Sequence, residues 1–412
     1  MEDENSDEKR VMTIVYVASV FPYPPTSGHR IRNYNLLKRL GEKHHLHLRL
    51  LVSEAPIEEE LVGLAPFVKS LRYYVQPEVG AFSQPMKGFF YWLKGIPPDL
   101  RFSHNHALMH DLHQFLAENE VDLLQIEDPA MALYANAVPK EQSVKKVLTF
   151  HDINFKKFER IASMEPSLKR KIRLRFHSRM MRKWEPKFSG KFDLCVTMSD
   201  VDKALLLDAN PGLNVHTIPN GVDTHEFDLL PENTNHLMYH ILFVGNMDYR
   251  PNIDAVTFFA KKVMPWLDET LPNYMFWIVG INPREEVLAL KSTKVQVTGR
   301  VPDVRPYYEN AHVVIVPLFA GGGTRLKILE AMALGRPVVS TTIGAEGLDL
   351  IPGQHLLIAD SAQDFRKSIE MLIKDQSLRE GIISSGRDCV VASYDWDAIT
   401  QKLEKLYLSL TR

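Results

Sequence analysis

A chain of 412 residues is too long for one ordinary core and points to two domains of ~150–200 residues each. With 45% hydrophobic and 24% charged residues the composition is that of a globular fold, and a formal net charge of -2 offers no global basic field for nucleic acid. Two cysteines, Cys195 and Cys389, are too few for a disulfide framework and lack metal-ligand spacing, and no apolar run reaches the length of a membrane span. Residues 1–10 form an acidic leader without the charge or apolar run of a signal peptide, so a cytoplasmic protein with no metal site is expected.

In chain order, an apolar strand at Met12 to Ala18 leads into the loop Phe21-Pro22-Tyr23-Pro24-Pro25-Thr26-Ser27-Gly28 and a basic amphipathic helix from about His29 to Leu40. Further strands are predicted at Leu46 to Val52, Leu123 to Ile126, Val147 to Phe150, Leu194 to Met198 and Val215 to Ile218, with helical stretches between them. Within the helix predicted over 168–183, eight of sixteen residues are Lys or Arg, interspersed with apolar ones. Such a helix either packs as a solvated face or makes peripheral contact with anionic lipid. After a polar linker at 228–239 the pattern restarts, with strands at His240 to Val244, Met275 to Val279, Val295 to Thr298, Val313 to Pro317 and Pro337 to Ser340. Strands alternating with helices in this way predict parallel sheets covered on both faces. The expected division is a first Rossmann-like domain at 11–227 and a second at 240–393. They would face each other across a cleft, with ligands at the carboxyl ends of the strands. The tail at 394–410 carries a helical apolar stripe, Trp396, Ile399, Leu403, Leu406, Tyr407 and Leu410, that can pack back on the first domain.

The most informative stretch runs from Val313 to Ala333, where a buried strand, the loop Gly321-Gly322-Gly323-Thr324 and a charged helix start follow one another. Glycines let the backbone approach a ligand, a helix N-terminus aims N–H groups at an anion, and Arg325 and Lys327 add two cations. Helical spacing places Gly323, Lys327 and Glu330 on one face, with the carboxylate one turn beyond the cations. His151-Asp152 follows the strand Val147 to Phe150. Its imidazole either caps a strand end or works in a reaction centre. Glu127-Asp128 is read either as an acceptor-side carboxylate or as a turn acid before Pro129. Ser199 is read as a helix cap.

These marks taken together resemble a family-4 retaining glycosyltransferase of the GT-B architecture, over about Val11 to Tyr407. The chain is most similar to bacterial sugar transferases associated with exopolysaccharide synthesis. It shares their Phe21-Pro22-Tyr23-Pro24-Pro25 with Gly28 and Arg32, Glu127, His151-Asp152, Pro219-Asn220-Gly221-Val222-Asp223, Pro251-Asn252-Ile253-Asp254, Gly299-Arg300-Val301, the Thr324 to Ala333 string and Ala345-Glu346-Gly347-Leu348. The resemblance implies an α/β fold of two Rossmann-like domains, and a nucleotide-diphosphate sugar bound mainly by the second. A saccharide or lipid-linked acceptor would be bound by the first, with no cofactor. It implies a catalytic centre at His151, Asp152 and Glu127. Donor contacts would come from Gly28, Gly245, Gly322, Gly323, Thr324, Arg325, Lys327, Glu330, Arg250 and Glu346. Glu330 matches the second glutamate of the family's Glu-x7-Glu motif, which holds the ribose hydroxyls, whereas the first is Gly322 here. After Gly245 many relatives place an arginine and a lysine on the diphosphate, where this chain has Asn246 and Pro251, so Arg325 and Lys327 are the substitutes. The rival readings are a GT-B isomerase or phosphorylase and a non-catalytic sugar-nucleotide-binding subunit.

Overall fold

The structure, a computed structural model, describes residues 10–76, 91, 93, 95–165, 167–231, 233, 237–271, 273–320 and 325–412. Most of the acidic leader, and Gly321, Gly322, Gly323 and Thr324 of the glycine loop, lie outside the described residues. The chain divides into two compact units, Met1–Pro219 with Thr400–Arg412, and Asn220–Ile399.

The first unit is built on strands β1 (Thr13–Ala18), β2 (His45–Val52), β3 (Ser70–Val75), β4 (Leu123–Glu127), β5 (Lys145–Phe150), β6 (Leu194–Thr197) and β7 (Val215–Thr217). They pair in parallel in the order β3-β2-β1-β4-β5-β6-β7. The second unit holds β8 (Tyr239–Val244), β9 (Tyr274–Val279), β10 (Val295–Gly299), β11 (Val313–Val316), β12 (Val338–Ser340) and β13 (Leu357–Ile358), parallel in the order β10-β9-β8-β11-β12-β13. Central strands such as Ile14 to Ala18 and Val313 to Val316 are buried at every residue. That is the environment in which a continuous β-branched run is favoured, because helices cover both faces of a parallel sheet. The edge strands β3 and β13 carry no such run and are only partly covered, which is why the sequence pattern does not mark them.

In each sheet the strand order reverses once, between β1 and β4 in the first and between β8 and β11 in the second. Chain crossovers leave such a pair toward opposite faces, opening a crevice at the carboxyl ends of those two strands. Glu127 ends β4, Gly245 follows β8, and the loop to Arg325 follows β11.

Residues 220–227 stand with the second unit, where Asp395 Oδ2 accepts from Thr224 N at 3.1 Å and Thr224 Oγ1 at 2.7 Å. The C-terminal helix Trp396–Thr411 buries Trp396, Ile399, Leu403 and Tyr407. From Thr400 onward it belongs to the first unit, where Glu404 pairs with Lys43 at 2.8 Å and His44 at 3.2 Å.

The helix His106–Glu118 opens with Asn105, whose side chain accepts from Ala107 N and Leu108 N. One turn on, Asp111 fastens it to the sheet by accepting from buried Arg49 on β2 and from Arg72 on β3. Arg49 also lies 4.5 Å from the centre of the Phe115 ring. Removing the carboxylate would leave a buried guanidinium without its counter-charge, which typically costs ~3–5 kcal/mol. Asp111→Ala should lower the unfolding free energy of the first unit correspondingly, read by denaturant titration; a loss under ~0.5 kcal/mol would show that the ion pair adds nothing.

Candidate active site

In the first unit a buried polar cluster collects at the β1/β4 crevice. Glu127 and Gln125 alternate with apolar residues on β4, so both side chains leave the same face of the strand. Glu127 Oε1 accepts from Gln125 Nε2 at 2.8 Å, and Glu127 Oε2 lies 2.8 Å from His151 Nε2. His151 stands directly after β5, the neighbour of β4. Burial raises the Glu127 carboxyl, but His151, then Arg32 and the Tyr16 hydroxyl outweigh it and hold the group down at about 2. Glu127 is therefore ionised at neutral pH. Two bare acceptors would repel at 2.8 Å, so a proton lies on His151 Nε2.

Arg32, buried on helix Gly28–Gly41, donates to the Pro219 carbonyl at 2.8 Å, and burial lowers its pKa against the opposing pull of Glu127. His29 on the same helix packs its ring 4.1 Å from that of His151. Burial, followed by the His151 ring, lowers its pKa to about 4 and keeps it neutral near pH 7. Gly28 begins this helix, and a Cβ there would meet nothing within 4 Å, so protein packing does not require the glycine. Arg30, two residues further on, helps line a cavity of about 300 Å³ beyond β1 and β2, with Ser19, Phe21, Ser53, Glu54 and Glu60.

Asp152 does not join the cluster. Its carboxylate is turned to Lys157 at 2.9 Å. Ser199 accepts from Asp202 N and caps the helix Asp200–Ala209.

In the second unit the β8/β11 crevice gathers Gly245, Lys327 and Glu330. Helix Leu326–Ala333 starts at Leu326, so Lys327 and Glu330 share its face at i and i+3, while Gly322, Gly323 and Thr324 fall outside the described residues. Lys327 Nζ donates to Asn252 Oδ1 at 3.0 Å and sits 4.1 Å from the centre of the Phe243 ring. A Cβ on Gly245 would lie 3.0 Å from that nitrogen and 2.9 Å from Asn252 Nδ2, so a side chain there would displace the ends of both side chains. Behind it, Gly280 at φ +149° would drive a Cβ to 1.7 Å from the Gly245 carbonyl oxygen.

Burial, reinforced by the neighbouring Arg325 charge, pushes the Lys327 ammonium down to about 7. Burial raises the Glu330 carboxyl, which accepts from Tyr308 Oη at 3.1 Å. Arg325 is buried just before the helix, with Nη2 donating to the Ile343 carbonyl at 3.2 Å. That contact ties it to the turn carrying Glu346, whose N–H donates to the same carbonyl at 3.3 Å. Two cations crowded together while one is driven toward neutrality make a site that an anion would relieve. Arg250 is directed elsewhere, with its guanidinium exposed and paired to Asp254 at 2.7 Å and Glu286 at 3.1 Å.

Sequence reading gave no site role to Gln125, Tyr16, His29, Tyr308, to Asn252 of the Pro251-Asn252-Ile253-Asp254 motif, or to Tyr407 of the C-terminal apolar stripe. Gln125 had a visible signal, as a second polar residue at i−2 from Glu127 in the otherwise apolar β4, and Asn252 had one in its motif.

Two family models match the chain, Glycosyltransferase Family 4 over residues 26–226 and Glycosyl transferases group 1 over residues 239–375. The phosphatidyl-myo-inositol mannosyltransferase of Mycolicibacterium smegmatis is 23% identical over 376 residues, 89% of each chain. Among solved structures, the sucrose-phosphate synthase of Thermosynechococcus elongatus superposes with a TM-score of 0.67 at 15% identity, over 97% of this chain and 99% of that one. Anabaena HepE in complex with UDP and glucose superposes at 0.64 with 14% identity, over 96% and 99%. The chain belongs to the family-4 glycosyltransferases of the GT-B fold. It is a glycosyltransferase, and the isomerase, phosphorylase and non-catalytic readings are not favoured.

The strained charge of Lys327 gives a pH signature. Its folded pKa of about 7 lies below the ordinary 10.5, so the folded chain binds fewer protons than the unfolded one between those values. The penalty is complete below about pH 7 and fades as pH rises toward 10.5. In the absence of nucleotide, Lys327→Met should raise the melting temperature most near and below pH 7, with the gain shrinking in alkali. A difference independent of pH would show that the ammonium is not strained.

Proposed function

We propose that the chain transfers a sugar, with retention of anomeric configuration, from a nucleoside-diphosphate sugar held by the second unit to a hydroxyl of a saccharide or lipid-linked acceptor held by the first. The observation that carries this reading is the Arg325 and Lys327 pair at the β8/β11 crevice, backed by the close approach of Gly245 and followed by Glu330. As the nucleoside diphosphate departs, negative charge builds on the leaving phosphate and oxocarbenium character on the sugar. Cations already in place stabilise that charge without reorganising. Glu330, steadied by Tyr308, offers its carboxylate to the ribose hydroxyls. UDP is the first nucleotide to test, because HepE was solved with it.

The acceptor side falls to His151. Its Nε2 is engaged by Glu127, which leaves Nδ1 to orient or polarise groups at the reacting carbon. No covalent nucleophile is assigned; the acceptor attacks from the face the leaving phosphate vacates, and that phosphate helps remove the acceptor proton. The cavity beside Arg30 suits a polyhydroxylated acceptor, being lined by serine hydroxyls and the carboxylates of Glu54 and Glu60. Neither a cofactor nor a divalent metal takes part in this scheme, since the protein cations and backbone dipoles carry the charge stabilisation.

A donor panel read by thermal shift identifies the nucleotide sugar, because a ligand that binds only the folded state raises its apparent stability. In transfer assays with that donor, His151→Ala should keep donor binding and lose most turnover. Lys327→Ala and Arg325→Ala should each slow transfer ~100- to 1000-fold, the usual effect of losing one such charge donor. Glu330→Ala should chiefly weaken nucleotide binding, and excess EDTA should change nothing. Activity abolished by EDTA and restored by magnesium or manganese, or parent-rate transfer by Lys327→Ala, overturns the scheme.

A lipid-linked acceptor is supported by the helix Leu168–Ser189, on which Leu168, Ile172 and Phe176 are exposed by 70%, 60% and 54%. Spaced at i, i+4 and i+8, they form one apolar stripe flanked by Lys169, Arg170, Lys171, Arg173 and Arg175. The opposite face buries Met181, Trp184 and Phe188 in the first unit. Among the described residues no helix is long and apolar enough to cross a membrane, so contact through this stripe would be peripheral. In vesicle sedimentation the chain should bind anionic and not neutral vesicles, and Ile172→Glu with Phe176→Glu should abolish binding. Equal binding to both kinds of vesicle, or none at low salt, removes the membrane role.

A further inference from the structure

The C-terminal helix reaches into the cluster around His151 through one side chain. Tyr407, fully buried, donates its hydroxyl to Gln125 Oε1 at 2.7 Å across 282 positions of sequence. The Gln125 amide nitrogen donates on its other side to Glu127 Oε1 at 2.8 Å and to Thr149 Oγ1 at 2.6 Å. Glu127 in turn faces His151 Nε2 at 2.8 Å.

The direction of each bond is forced. An ionised carboxylate only accepts, so the nitrogen end of Gln125 must face Glu127; its oxygen then faces Tyr407, which must donate. The amide thereby uses its acceptor oxygen and both N–H groups, and Glu127 turns Oε1 to the amide and Oε2 to the imidazole, with the Tyr16 hydroxyl also against the carboxylate. Every member is buried, so a lost partner is not replaced by water at no cost. Phenylalanine at 407 would keep the ring packing and remove only the donor that pins the amide.

We propose that Tyr407 is a positioning residue that sets the orientation and proton location of His151 through Gln125 and Glu127, which makes the C-terminal helix a working part of the first unit's reaction centre. The proposal rests on the reading of His151 given above, but its test does not need turnover. The proton that tells is the one on His151 Nε2. In the full chain with 15N-labelled histidine, the His151 ring signals are assigned by their loss in His151→Asn. The wild type should show a protonated Nε2 whose proton exchanges slowly. In Tyr407→Phe that proton should exchange about threefold to tenfold faster, the equivalent of one neutral hydrogen bond, and the Nε2 shift should move. In Glu127→Gln the Nε2 proton should lose its slow exchange.

Glu404→Ala supplies the control for a purely structural role, because it releases Lys43 and His44 from the same helix without touching the chain of bonds. It should lower the melting temperature and leave the His151 signals in place. Unchanged His151 signals in Tyr407→Phe, or equal changes in Glu404→Ala, would overturn the proposal. A parent transfer rate in His151→Ala would overturn instead the catalytic reading of His151, so the two failures are told apart.

Discussion

Strands that run parallel cannot be joined by tight turns, so every one of them is followed by a crossover on one face of the sheet or the other. Where the strand order reverses, the two crossovers part and leave the carboxyl ends of neighbouring strands open. Each unit of this chain has one such place, and the residues with unusual electrostatics stand at both. Glu127 closes β4, while Gly245 and the loop before Arg325 close β8 and β11. The loops there are free to carry chemistry because the strands behind them are held by apolar packing from both sides.

The two crevices handle buried charge in opposite ways. In the first, Glu127 is surrounded by groups that favour its ionised form, with His151 and Arg32 supplying charge and Gln125 a hydrogen bond. That crevice is balanced before any ligand arrives, and its balance fixes where the protons sit. In the second, Arg325 and Lys327 are crowded together, and Glu330 lies where burial weakens its own ionisation. The two basic side chains are held in place by Asn252, the Phe243 ring and the Ile343 carbonyl. A centre that orients an imidazole needs the first arrangement, and one that receives a diphosphate needs the second.

The second crevice depends on glycine at two levels. Gly280 lets the Gly245 carbonyl approach at a distance no Cβ would permit, and Gly245 lets Lys327 and Asn252 approach in turn. These contacts couple the end of β9 to the end of β8 and to helix Leu326–Ala333 without using a single apolar side chain. The first unit achieves its coupling with polar side chains, from Tyr407 on the last helix to His151 behind β5.

The sequence by itself determined the alternation of strands and helices, because buried parallel strands demand unbroken apolar runs such as Val313 to Val316. It also determined the cation pair beside the glycine loop, since Arg325, Lys327 and Glu330 are close in the chain and helical geometry alone relates the last two. The edge strands β3 and β13 escaped it, as partial exposure relaxes the apolar requirement there. Only the tertiary structure decided that Glu127, legible as either an acceptor-side acid or a turn acid, is a buried ionised partner of His151, and that Asp152 turns away to Lys157. It alone placed His29 against His151, Asn252 under Lys327, Tyr308 on Glu330 and Tyr407 on Gln125. Those partners are far apart in the chain, and no periodicity records which side chains a folded sheet brings into contact. Hydrogen bonds in a buried site are set by distance and direction in space, and a linear pattern carries neither.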